Sequence, residues 1–199
     1  MRILDLCSGL GGASEACVLA GWEVLRIENN PLLEGVEHTF IIDIFKFEEW
    51  LIENLDAIAK PDVIWASPPC RDFSTAYAAP GPTASRAGVV FKPDMSILLC
   101  CMRIIDLLKP TWWVVENVNG AQRHFHPVIG EYAQKLGPFL LWGNYPRINS
   151  CQGWANIKKQ DAWSTNPLRP NIRAYVPIEI SQGLLNAIAN QKTLTEWIT

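Results

Sequence analysis

A chain of 199 residues with 49% hydrophobic and 19% charged side chains is long enough for one core and too apolar for a disordered tail. Seventeen Lys and Arg against twenty Asp and Glu leave a net charge of -3, which excludes a uniformly basic nucleic-acid coat. The charge is uneven: residues 1–100 carry 7 basic and 14 acidic groups, residues 101–199 carry 10 and 6, so a polyanion would dock mainly on the second half.

Short apolar runs at residues 3–7, 24–27, 39–42, 62–66, 112–115 and 139–142 read as strands buried on both faces of a parallel sheet. Helices are expected between them: 13–20, closed by Gly21; 47–59; 94–108, stopping before Lys109-Pro110; and 127–136, ending at Gly137. A last amphipathic helix over 176–189 is entered through Pro177. The alternation predicts an α/β fold with a doubly wound, mostly parallel sheet. Two stretches break it. Residues 71–93 run through Pro80-Gly81-Pro82 and Ala87-Gly88 without periodicity and are expected to form a lid. Residues 146–174 carry Trp154, Trp163, Lys158, Lys159, Arg169 and Arg173 against one acid, Asp161. The expected organisation is a core over 1–145, a short insert over 146–174 and a C-terminal helix over 175–199 that returns to the core.

The cysteines (Cys7, Cys17, Cys70, Cys100, Cys101, Cys151) form no C-x-x-C pair and the histidines have no ligand spacing, so no metal is expected. No charged-then-apolar leader opens the chain, and no apolar run approaches the roughly 20 residues of a membrane span. A cytoplasmic protein with no membrane partner is the expectation.

Asp5-Leu6-Cys7-Ser8-Gly9-Leu10-Gly11-Gly12 joins the first strand to the first helix. Glycines there let backbone amides approach a ligand over a helix N-terminus. In doubly wound sheets, ligands sit at the carboxyl ends of the strands. The pattern is not G-x-G-x-x-G and lacks a phosphate-loop lysine, which argues against a pyrophosphate. Glu28, closing the second strand, suits two ribose hydroxyls, and Asp43, closing the third, suits an adenine amino group. Together they fit a nucleoside without phosphates, S-adenosylmethionine.

Ser67-Pro68-Pro69-Cys70-Arg71-Asp72-Phe73-Ser74 follows the fourth strand. Two prolines fix an extended backbone and aim Cys70 from the strand's end, where a thiol serves better as a nucleophile than as packing. Cys17, Cys100 and Cys101 read as buried structural thiols. In Val114-Val115-Glu116-Asn117-Val118, Glu116 leaves the fifth strand where a carboxyl can hydrogen-bond a heterocycle under attack by that thiol.

In this order the motifs resemble the DNA cytosine-5 methyltransferases. The stretches from Glu116 to Gln122, Gly137-Pro138-Phe139 and Trp142-Gly143-Asn144-Tyr145-Pro146 look most like the short phage-borne branch. The resemblance implies a Rossmann-like S-adenosylmethionine-dependent methyltransferase fold, and transfer of a methyl group to C5 of cytosine in DNA through a transient Cys70 adduct. S-adenosyl-L-homocysteine would be the product, and restriction-modification the setting. Cys70 and Glu116 would be catalytic. Cys7, Ser8, Gly9, Leu10, Gly11, Gly12, Glu28, Asn29, Asp43, Ile44, Pro68 and Ser181, the last in the closing motif Ile180-Ser181-Gln182-Gly183-Leu184, would hold the cofactor. The target base would be flipped out of a duplex or single-stranded, with Arg71, Arg86 and Lys92 of the lid for phosphates.

Two departures stand out. The family's Gln-x-Arg-x-Arg motif has no match; Arg147, assigned here to catalysis, and Arg123 are the nearest substitutes. The family's large recognition domain is reduced to residues 146–174, where Trp154 and Trp163 either stack on bases or make a small satellite core. Loose recognition or a helper subunit is expected. Two other readings stay open: a cofactor-binding but catalytically degenerate partner, and a methyltransferase acting on RNA, on a nucleotide or at an exocyclic nitrogen. The last would place an aromatic residue where Cys70 stands.

Overall fold

The computed structural model describes residues 1–149 and 165–191. Expectations on Cys151, Trp154, Lys158, Lys159, Asp161 and Trp163 lie outside the described residues. Among these, seven strands form one sheet: Arg2–Leu6 (β1), Glu23–Glu28 (β2), Thr39–Ile41 (β3), Val63–Ala66 (β4), Trp112–Val118 (β5), Gln134–Leu136 (β6) and Phe139–Asn144 (β7). Their order is β3-β2-β1-β4-β5-β7-β6. Strands β1 to β5 pair in parallel, whereas β7 runs antiparallel to both β5 and β6. The order reverses between β1 and β4, so their carboxyl ends open a crevice suited to a ligand.

The apolar runs are continuous because both faces are covered. Ile64 and Ala66 of β4 join Leu4, Leu6 and Val115 in one core, while Val63 and Trp65 join Ile3, Val114 and Leu141 in the other. The first core is roofed by Ile44–Glu53 (α2), Ser96–Leu108 (α4) and Gln122–Ile129 (α5). In α4 the buried Leu98, Cys101, Ile105 and Leu108 recur at helical spacing, and Lys109 ends the helix in a left-handed conformation before Pro110. Glu15–Leu19 (α1) and Ile178–Ala189 (α7) cover the second core, where Ile180, Leu184 and Ile188 meet Cys17 and Trp65.

Three expectations need correction. The helix expected over 127–136 is instead α5, which contains Pro127 and stops at Gly130 (φ +78°), followed by β6. Gln134-Lys135-Leu136 has no strand signature of its own; pairing with β7 across the Gly137-Pro138 turn makes it one. The helix expected over 47–59 starts earlier, because the Asp43 carboxylate caps it by accepting the Phe45 N–H at 3.0 Å. The 71–93 stretch is not structureless: it holds a 3₁₀ turn, Arg71–Phe73, and the helix Pro80–Arg86 (α3). A further helix, Arg169–Ala174 (α6), had no clear signal in its basic surroundings. Among the described residues no helix is long and apolar enough to cross a membrane.

Candidate active site

Sheet register aligns the ends of four strands. Ile27 pairs with Leu6, Leu6 with Ala66, and Ala66 with Val115, so Glu28, Cys7, Ser67 and Glu116 come next at the carboxyl edge. From that edge the glycine turn rises after β1, and the two-proline turn after β4.

Gly9 and Gly11 take positive φ (+55° and +77°), which favours glycine. Arg26, 1% exposed, holds the turn from below: Nη2 donates to the Gly11 carbonyl and Nε to the Ser14 hydroxyl, both at 2.9 Å. A Cβ on Gly11 would come within 2.4 Å of that guanidinium, and one on Gly12 within 2.1 Å of the Val176 carbonyl. Ser14 in turn donates to Asp5 at 2.7 Å, and burial pushes the Asp5 carboxyl up to about 7. Above the turn lies α6: Asn171 comes nearest to Gly9 and accepts a hydrogen bond from Asn30 at 3.3 Å. Residues near 171–176 thus frame the crevice together with loops more than 100 positions away.

The expected cofactor residues are distributed as follows. Glu28 accepts the backbone N–H groups of Gly9 (2.8 Å), Asn29 and Asn30 (both 3.0 Å), bracing the glycine turn against β2. Ser8 carries a buried hydroxyl with no hydrogen-bond partner, and Leu10 is half-buried beside it. Cys7 is half-buried with φ +57°; its hydrogen bond with the Cys101 thiol raises its pKa well above the usual value, and burial adds to the shift. Asp43 and Ile44 open α2 beyond the end of β3, and Pro68 lies buried beyond β4. Ser181 faces elsewhere: its hydroxyl accepts the Ala16 N–H at 3.0 Å, tying α7 to α1 behind the turn. A glycine-rich turn with an orphaned buried hydroxyl and a carboxylate at the next strand's end fits an adenosyl amino acid better than a pyrophosphate.

Cys70 is half-buried and starts the Arg71–Phe73 turn, its carbonyl accepting the Phe73 N–H at 3.1 Å. Phe73 anchors that turn: it is 5% exposed and meets Phe125 edge-on at 5.0 Å between centroids. The buried Asn117 donates from Nδ2 to the Pro68 carbonyl at 2.8 Å, joining the two-proline turn before Cys70 to the strand of Glu116. Gly120 packs so closely there that a Cβ would lie 2.0 Å from the Phe73 carbonyl oxygen. A cavity of about 160 Å³ opens beside the turn, lined by Pro68, Pro69, Arg71, Phe73, Ile97 and Leu98 among others. Cys17 and Cys100 are buried in opposite cores, their thiols pushed up to about 12 chiefly by desolvation, and Cys101 is buried in the same core as Cys100.

Arg147 is not brought to this edge. β7 ends at Asn144 opposite Trp113, near the amino end of β5, and Arg147 then lines a cavity with Asn186 of α7 and Asn190 just past that helix. Arg123 does lie beyond the carboxyl end of β5, in the first turn of α5. Arg26, Ser14, Asn117, Asn171 and Tyr175 escaped the sequence reading as site residues; only Asn117, inside Glu116-Asn117-Val118, carried a signal.

The sheet order, the switch-point crevice and a glycine turn that has neither the G-x-G-x-x-G pattern nor a phosphate-loop lysine are those of the Rossmann-like S-adenosylmethionine-dependent methyltransferases. A solved structure described as a DNA modification methyltransferase encoded within an E. coli prophage shares the fold, with a TM-score of 0.50 at 19% identity over 72% of this chain. The chain spans 46% of that protein's length. Residues 1–139 match the model of the C-5 cytosine-specific DNA methylases, and the chain therefore belongs to that family, S-adenosylmethionine-dependent enzymes whose substrate is DNA. Among its relatives, the "Probable DNA (cytosine-5)-methyltransferase" of Frog virus 3 is 31% identical over 79% of this chain and 72% of the viral one. The type II methyltransferase M.HgiGI of Herpetosiphon aurantiacus is 28% identical over 61% of this chain and 94% of its own length.

Proposed function

We propose that this chain methylates C5 of cytosine in DNA with Cys70 as nucleophile and Glu116 as the group that holds the base. The observation that carries the reading is the Asn117–Pro68 bond, which fixes the cysteine's turn against the strand of the glutamate. Cys70 Sγ, as thiolate, forms a bond to C6 of the ring, and the displaced electron pair makes C5 nucleophilic. Glu116 holds N3 and the exocyclic amine, countering the charge that develops on attack. When bound, S-adenosylmethionine supplies an electrophilic methyl group and leaves as S-adenosyl-L-homocysteine. A base then takes the C5 proton, the electrons re-form the ring double bond, and the C6–S bond breaks to return the thiolate.

Residues 7–12, Glu28, Asn29, Asp43, Ile44 and Pro68 would hold the cofactor, while Ser181 acts only through α1. The arginine role falls to Arg123 rather than Arg147. Stacked cytosine is out of reach of both side chains, so the base is flipped or single-stranded. The core over 1–145, the insert over 146–174 and the returning helix form the working division, with a helper subunit supplying recognition the insert lacks. The described cysteines form no disulfide with one another, which supports a reducing, cytoplasmic setting, and the type II likeness supports restriction-modification.

A degenerate, cofactor-binding partner is the second reading, favoured by the displacement of Arg147 from the edge. Incubation with labelled S-adenosylmethionine and duplex DNA, single strands, RNA or nucleotide, followed by chromatography of the nucleosides, separates the readings. 5-Methylcytosine from DNA, absent with Cys70→Ala, is the expected result. N4-methylcytosine, label in RNA alone, or cofactor binding without product contradicts it.

A further inference from the structure

Among the described residues, the buried side-chain atoms without a hydrogen-bond partner are Asp5 Oδ1 and Ser8 Oγ, both in the segment that forms the glycine turn. Ser8 belongs to the turn itself. Asp5 lies one residue before the end of β1 and is 0% exposed, so it cannot touch a ligand seated over the turn. Its Oδ2 accepts the Ser14 hydroxyl at 2.7 Å, and Ser14 in turn accepts Arg26 Nε at 2.9 Å. Arg26 also donates to Glu15 at 2.9 Å, so its charge is divided between two carboxylates. Glu28 faces Asp5 from β2, Cys7 from the turn and Cys17 from α1, and Tyr175 faces Glu15 and Arg26 from the chain entering α7. Within this set the carboxyl groups of Asp5, Glu15 and Glu28 stand against the single cation Arg26.

An adenosyl amino acid over this turn changes charge in the reaction. S-adenosylmethionine carries a sulfonium and an ammonium against one carboxylate, whereas S-adenosyl-L-homocysteine has lost the sulfonium charge and is neutral overall. From this arrangement we infer that Asp5 selects the methyl donor over its product by charge, from beneath the turn, so that the preference for the donor strengthens as the Asp5 carboxyl ionises. The inference rests on the reading of residues 7–12 as the cofactor site. A buried carboxylate is poorly screened and acts on a nearby cation without contact. Burial brings the Asp5 carboxyl to about 7, so it changes charge near neutral pH. The donor's extra charge favours the ionised form, and by reciprocity donor binding expels part of a proton that product binding does not. Asp5 is thus a specificity-determining residue that touches neither the cofactor nor the reacting atoms.

Calorimetry with S-adenosylmethionine and with S-adenosyl-L-homocysteine, between about pH 5.5 and about pH 7.5, tests the inference below the range in which a free α-amino group titrates. In wild type the ratio of the two affinities should shift toward the donor roughly three- to tenfold over that interval. In Asp5→Asn it should stay within about twofold of the wild-type ratio at the acid end. A second readout needs no variant: near neutral pH, in buffers of different ionisation enthalpy, donor binding should release a larger fraction of a proton than product binding. A flat ratio in wild type, a shift that persists in Asp5→Asn, or equal proton release with both ligands would overturn the inference while leaving the cofactor reading in place. Binding of neither ligand would overturn that reading, and this inference with it.

Discussion

Asn117 places a buried amide between two segments that must move as one. Its Nδ2 donates to the Pro68 carbonyl at 2.8 Å and its Oδ1 accepts the Val118 N–H at 2.9 Å. In Asn117→Ala the Pro68 carbonyl loses its buried donor, costing about 1–3 kcal/mol of stability. Turnover should fall at least about tenfold through the displaced thiol, with cofactor affinity nearly unchanged. Single-turnover kinetics and calorimetry check the two halves. Asn117→Asp presents an acceptor to the carbonyl and should not rescue.

Asp5 makes a second residue-scale claim. Burial raises its carboxyl from 3.8 to about 7, although the Ser14 hydroxyl and the Arg26 charge act in the opposite direction. A folded-state value above the unfolded one favours the folded chain at acid pH. That advantage is lost as pH rises through the interval between the two values, at up to about 1.4 kcal/mol per pH unit, and is flat above the upper one. Relative to Asp5→Asn, wild type should lose stability between about pH 4 and pH 7 in denaturant titrations. An unchanged difference between the two proteins across that interval would contradict the assignment.

Among elements, the decisive contact is between the turn after Cys70 and the turn after β5. Gly120→Ala puts a Cβ 2.0 Å from the Phe73 carbonyl, backbone that cannot swing aside as a side chain would. The turn after Cys70 must shift, and with Cys70 as the proposed nucleophile a misplacement near 1 Å costs about a hundredfold in rate. Circular dichroism should show an intact sheet, with cofactor affinity retained; loss of cofactor affinity in step with rate would contradict so local an effect. The motifs at this edge were legible because each is a short loop following one buried strand. Val63-Ile64-Trp65-Ala66 announces a two-faced strand, and the residues after it are read from the chain alone. The edge strand β6 was not legible, since Gln134-Lys135-Leu136 acquires its conformation from β7. Nor was α3, whose Pro80-Gly81-Pro82 start looks like an open loop, although proline is at home in a helix's first turn.

At the scale of the whole molecule, the cofactor crevice is closed by residues far apart in the chain. Val176 and Tyr175 press on Gly12, and Asn171 reaches both Gly9 and Asn30. No linear pattern announces such contacts; a glycine that cannot accept a Cβ reports them only once the fold is known. The same limit explains Ser181 and Arg147. Ser181 lies on the helix face that meets α1, and the reversed direction of β7 carries Arg147 toward the opposite end of the sheet. The topology thus gathers the glycine turn, the two-proline turn and Glu116 on one edge, and the account depends on Cys70 being available there.

The most direct measurement is covalent capture on DNA containing 5-fluorocytosine in the presence of S-adenosylmethionine. Fluorine cannot leave C5 as a proton does, so the sulfur–carbon bond persists after methyl transfer. The account predicts a denaturation-resistant protein–DNA complex whose cross-linked peptide contains Cys70, and no complex with Cys70→Ala. Methylation of ordinary cytosine by Cys70→Ala, or capture at any other cysteine, would contradict it.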